Sequence, residues 1–126
     1  MSYSYDDQNI FAKILRGEIP NATVAESEMT LAFKDIQPQT PVHVLVIPKG
    51  PYVTADHFAR EASEAEIVDF WRMVGQLAAD LGVAPDAGNG YRLIANAGPD
   101  GVQEVPHFHI HLVAGRGLGP NLTRRD

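Results

Sequence analysis

The stretch Pro106-His107-Phe108-His109-Ile110-His111-Leu112-Val113 sets three histidines at alternate positions of an apolar, β-prone run. Side chains of a strand alternate between its two faces, so His107, His109 and His111 share one face while Phe108, Ile110 and Leu112 share the other. The aromatic and aliphatic set has the character of a core face, which leaves the histidines to line a surface or a cleft. The chain holds five histidines, and only His43 and His57 lie outside this run. So many imidazoles on one strand face point to chemistry as well as to a fold.

Upstream of the run, residues 97–106 form a loop whose Gly98, Pro99 and Gly101 leave backbone N–H groups free to turn toward an anion. Gly90 to Asn96 is expected to be the strand before it, and His107 to Ala114 the strand after. A long helix is expected from Ser63, which makes a capping box with Glu66, to Leu81, where Gly82 stops it. Ile67, Phe70, Val74, Leu77 and Leu81 form its apolar stripe, and Val68, Trp71 and Ala78 widen that stripe on one side. An arc this wide suits either a well-buried helix or a subunit interface.

Val42-His43-Val44-Leu45-Val46-Ile47 is a near-continuous apolar run of central-strand type, preceded by Pro38 and Pro41 and ended by Pro48. Residues 50–58 are expected to be a loop with a short helical turn. Thr23 to Glu26 and Met29 to Lys34 are expected to pair as a hairpin around Ser27-Glu28. Asn9 to Gly17 has a capping Asn, helical apolar spacing, a basic last turn and a terminating Gly. The expectation is one α+β domain over residues 1–126, an antiparallel sheet of about five strands with two helices.

Composition narrows the function. Of 126 residues, 44% are hydrophobic and 21% charged, ordinary values for a globular chain. With no cysteine, disulfides and thiolate zinc sites are excluded. The first residues lack the basic and apolar regions of a signal peptide, and no apolar run reaches the roughly 20 residues of a membrane span, so the cytoplasm is the expected location. A net charge of −6 argues against nucleic-acid binding, which needs basic surface. A small anion held by local donors remains compatible with it.

Same-face neighbours on a strand sit about 6.5–7 Å apart, which admits three readings of the histidines. Two imidazoles with a third ligand could hold a catalytic zinc. A neutral imidazole could attack phosphorus while its neighbours place charge and protons. The histidines could also simply populate a strand face. A metal needs further ligands, of which only His43 and His57 are imidazoles, and no HExxH pattern is present.

The run His107-Phe108-His109-Ile110-His111-Leu112-Val113 resembles the histidine-triad (HIT) pattern, in which His alternates with apolar residues. Residues 9–20 resemble the family's opening helix, residues 31–49 its central block, and Asn96-Ala97-Gly98-Pro99-Asp100-Gly101 the segment before the triad. The likeness is greatest to the Hint branch of purine nucleoside phosphoramidases. It implies hydrolysis of a purine nucleoside monophosphate conjugate, such as an adenosine 5′-phosphoramidate, through a covalent nucleotidyl-histidine, with no cofactor. By position it makes His109 the nucleophile, His111 a phosphate contact, His107 a support from behind and His43 a proton relay. Asn96 would orient the phosphate or the histidines, Asp35 would accept the ribose hydroxyls, and Phe11, Ile14, Phe33 and Ile36 would form an apolar slot for the purine. The resemblance also implies a homodimer across the long helix, with Trp71 in the interface.

One segment departs from that pattern. Hint-type members carry Gly-Gln-Ser where this chain has Val102-Gln103-Glu104 ahead of Val105-Pro106, and the resemblance implies that Glu104 and Val105 belong to the nucleotide site. An ionised Glu104 cannot donate a hydrogen bond to a leaving nitrogen and repels a phosphate. The tail from Gly115 to Leu122 has no tryptophan, so selectivity carried by an aromatic tail does not transfer. A dinucleoside polyphosphate hydrolase and a nucleotide-binding regulatory protein remain the alternatives.

Overall fold

The structure, a computed structural model, describes residues 3–123. In chain order it contains α1 (Ile10–Leu15), β1 (Thr23–Glu26), β2 (Thr30–Lys34), β3 (Val42–Pro48), α2 (Ala55–Glu61), α3 (Glu64–Asp80), β4 (Tyr91–Ile94) and β5 (Ile110–Ala114). The strands form one antiparallel sheet in the order β1-β2-β3-β5-β4. This is the α+β architecture expected, with a third helix added.

Local signals explain most boundaries. Asn9 caps α1 by accepting a hydrogen bond from the Ala12 N–H, and Ser63 with Glu66 closes a reciprocal capping box on α3. The additional helix, α2, begins within the stretch 50–58 expected to be a loop with a short helical turn and extends that turn to Glu61. Thr54 caps it, Asp56 stands in its first turn and Arg60 in its last. With only His57 and Phe58 buried, it has too few apolar positions to show a helical period in the sequence.

The sheet separates two apolar layers. On one face Ala32, Val44, Val46, Ile110 and Leu112 pack against Phe70, Met73, Val74, Leu77 and Ala78 of α3. Ala78 thus belongs to the buried face of that helix, while Val68 and Trp71 are exposed, 54% and 47%. Phe58, Phe70 and Phe108 meet with ring centroids 5.1–5.3 Å apart at the centre of this layer. On the opposite face Leu31, Phe33, Leu45 and Ile47 pack under Phe11, Ile14 and Leu15 of α1. Because α1 is only six residues long, it covers part of that face and leaves the rest open. The period of two places His43 and His111 on this open face, beside Leu45 and Val113. No helix among the described residues is long and apolar enough to cross a membrane.

Candidate active site

On the partly covered face lies a cavity of about 590 Å³, within the range of small-molecule sites. Its floor is sheet (Phe33, Leu45, His43, His111 and Val113), and Phe11 and Ile14 of α1 form one wall. Asp35 and Ile36, at the end of β2, and Asn96, Glu104 and Val105, from the loops around β4 and β5, complete the rim with His109. Every residue expected at the site reaches this cavity except His107, which lies behind it and is fully buried.

The histidine run is less regular than a uniform strand. Ladder pairing begins only at Ile110, and the Phe108 N–H bonds instead to the Tyr52 carbonyl at 2.7 Å. The alternation of faces survives, with Phe108, Ile110 and Leu112 all in the large core. His43 pairs with Val113 across β3 and β5, which makes His111 its diagonal neighbour on the same face.

Hydrogen bonds to groups of known character determine where the ring protons sit. His107 Nε2 lies 2.8 Å from the Pro48 carbonyl, an acceptor only, so Nε2 carries the proton. By the same logic His109 donates from Nδ1 to the His107 carbonyl at 2.7 Å, which leaves a lone pair on Nε2. Since no buried side-chain polar atom among the described residues lacks a partner, that nitrogen opens onto the cavity. The Gln39 N–H donates to His43 Nδ1 at 3.1 Å, so His43 carries its proton on Nε2. That proton is directed at His111 Nδ1, 2.9 Å away, with Asp35 Oδ2 at 3.4 Å. His111 therefore presents Nε2–H. One bare nitrogen and one N–H donor face the same space.

Burial favours the neutral form of the three histidines of the run. It pushes His107 down to about 4, with the charge of His109 adding to the effect and the Pro48 carbonyl opposing it. His111 is also pushed down to about 4 by burial, then by His109 and His43, against the pull of Asp35. His109 is lowered by burial, while its bond to the His107 carbonyl and the charges of Asp35 and Glu104 pull the other way. A neutral His109 retains the lone pair a nucleophile needs.

Asp35, His43 and His111 each bring one ligand atom within 4.8 Å of the others, a spacing open to a metal ion. The hydrogen bonds do not fit one. A cation on His43 Nε2 would displace its proton to Nδ1, which would then face the Gln39 N–H. The trio is already joined by that proton.

Several residues sit differently from what their types suggest. Phe11 and Phe33 line the cavity but are buried parts of the smaller core, whereas Ile36 is 87% exposed at the rim. Asn96 donates to the Gly101 carbonyl at 2.7 Å and so staples the loop. That loop is less open to an anion than expected, because the Val102 and Gln103 N–H groups bond to the Pro99 and Gly98 carbonyls. Val102, at the position where the family pattern has Gly, adopts φ 57° and is exposed on the cavity rim. The backbone keeps a left-handed conformation that costs a side-chain-bearing residue about 1–2 kcal/mol. His57 is remote: it caps no part of the cavity, accepts from the Val53 N–H and stacks on Tyr3. Sequence reasoning missed Tyr5, whose hydroxyl meets His107 across 102 positions of chain, and no local signal could have found it.

The chain is similar to known proteins over nearly its whole length. The chain is 54% identical over 124 residues to a 13.2 kDa HIT-like protein of Azospirillum brasilense, covering 98% of this chain and 99% of the relative. It is 40% identical over 122 residues to the purine nucleoside phosphoramidase of Escherichia coli K12, covering 94% and 97%. The histidine triad protein of Clostridium difficile superposes with a TM-score of 0.79 at 37% identity, over 95% of this chain and all of that one. The HIT domain matches residues 16–118, a span that takes in His43, Asp35 and the complete histidine run, and the chain is a member of that family.

Proposed function

We propose that the protein hydrolyses purine nucleoside 5′-phosphoramidates, or related mononucleotide conjugates, through a nucleotidyl-His109 intermediate. The observation that carries this reading is the bare His109 Nε2, oriented from behind by the His107 carbonyl and placed beside the His111 Nε2–H. The name and 40% identity of the Escherichia coli relative support the substrate class. In this reading His109 Nε2 attacks phosphorus and the phosphorus–nitrogen bond breaks. The leaving amine takes a proton that the His111–His43 pair gains from solvent as the anionic phosphate binds, so the pair returns to neutral while the new phosphoryl-imidazolium carries the positive charge. Water then attacks the same phosphorus, releases His109 and returns a proton to the pair. Asp35 accepts the ribose hydroxyls, Asn96 orients the loop over the phosphate, and the base lies against Ile36, Ile14, Phe33 and Phe11.

Incubation with an adenosine phosphoramidate, rapid quenching and intact-mass measurement should reveal one added nucleotidyl group. Turnover with no such adduct under any quench time would refute the covalent route.

Glu104 is exposed on the rim, and its negative charge reaches His109. At this position it favours leaving groups that are cationic amines over neutral ones. Glu104→Ser is expected to move the ratio of kcat/KM for cationic against neutral amine adducts by about fivefold toward the neutral, from roughly 1 kcal/mol of surface charge interaction. An unchanged ratio would mean that Glu104 does not face the leaving group.

The same reading makes the protein a homodimer across α3. Val68 and Trp71 are exposed there, and Gly75, one turn further on, is an exposed glycine that weakens the helix without filling any space. A second copy of α3 packed closely over Gly75 would account for all three. Sedimentation at micromolar concentration should give a dimer, and a monomer would remove this part of the reading.

A further inference from the structure

The arm ahead of α1 has no part in the steps above, yet it ends on their support. The Tyr5 hydroxyl lies 2.6 Å from His107 Nδ1, and the Tyr5 ring meets that imidazole edge-on, with centroids 5.6 Å apart. Because His107 gives its Nε2 proton to Pro48, its Nδ1 bears a lone pair inside the protein and requires a donor. Tyr5 supplies it. The ring is thereby pinned at both nitrogens, between the end of β3 and the arm. The carbonyl of that same residue holds His109 Nδ1–H at 2.7 Å.

We propose that Tyr5 is a positioning residue for His109, acting through His107. The inference rests on the reading of His109 as nucleophile. The hydroxyl selects the Nε2–H tautomer of His107 and keeps its peptide in place, and the peptide sets the direction of the His109 lone pair. Without the hydroxyl, His107 Nδ1 becomes a buried acceptor with no partner, and the ring can satisfy both nitrogens only by moving. A shift of that carbonyl turns His109 away from the line of attack, where small misplacements have large effects on rate. The opposing view is that the arm is held only for packing. Tyr3 provides the comparison, since its hydroxyl anchors the arm on Asp56 and its ring stacks on His57, away from the cavity.

The test uses the full chain with Tyr5→Phe and, in parallel, Tyr3→Phe. Tyr5→Phe should lower kcat on an adenosine phosphoramidate about tenfold while KM and nucleoside monophosphate affinity change less than about twofold. Tyr3→Phe should leave kcat within about twofold. Long-range proton–nitrogen spectra of the imidazoles should show Nε2–H for His107 and Nδ1–H for His109 in the wild type, and a mixture of tautomers in Tyr5→Phe. Equal losses in both variants, or a Tyr5→Phe protein with unaltered kcat and His109 spectrum, would overturn the proposal. So would a wild-type His107 carrying its proton on Nδ1, a result that needs no variant. The spectra respond to Tyr5 whether or not His109 attacks phosphorus, so failure of the nucleophile reading would be seen separately.

Discussion

Replacing His109 with alanine is expected to lower kcat by about 10⁴-fold or more, with nucleoside monophosphate affinity nearly unchanged. The asymmetry follows from where the ring sits. It is buried, edge-on to Phe11 at 5.0 Å, and offers the cavity a single nitrogen. Removing it deletes the attacking atom but few of the contacts that would hold a ground-state nucleotide, which come from the β2 end, α1 and the loop before β5. The measurement is kcat on an adenosine phosphoramidate, together with calorimetric titration of the monophosphate. The nucleotidyl adduct should also disappear from the intact mass. Wild-type turnover by the variant would place the attack elsewhere.

The largest stability effect is expected at Phe70. Its side chain is fully buried, 5.3 Å from Phe58 and 5.1 Å from Phe108, where α3, α2 and the residues leading into β5 converge. Phe70→Ala removes that burial and leaves a cavity that three separate elements must collapse into, for a loss of about 3–5 kcal/mol. For a chain of this size that is a fall in Tm on the order of 15 °C. Trp71→Ala, one position along but on the exposed face, should change the Tm of the monomer far less. Thermal unfolding at low protein concentration separates the two. Similar losses from both would mean that the helix faces its partners differently.

How far each feature could be read from the chain depended on the range of the interactions behind it. Period-two patterning is a property of the covalent backbone, so the alternation His107-Phe108-His109-Ile110-His111 gave both the core face and the reactive face before any fold was known. Likewise local are the Asn9 cap and the Ser63–Glu66 capping box, which close within three residues. Helix α2 was read as no more than a short helical turn because seven residues with two buried side chains show no period. Val68, Trp71 and Ala78 were grouped on one side of the α3 stripe, yet only Ala78 is buried, because a helical wheel gives the width of an arc and not which edge the sheet covers.

The sequence by itself therefore determined which residues could do chemistry, the alternation that sorts them and the α+β order of elements. Only the tertiary structure decided which nitrogen of each ring carries a proton. That choice depends on the carbonyl of Pro48, the N–H of Gln39 and the hydroxyl of Tyr5, groups brought to the histidines from distant parts of the chain. A pattern of residue types contains no information about such partners, because any backbone can offer an N–H or a carbonyl and only the pairing of β3 with β5 says which one arrives.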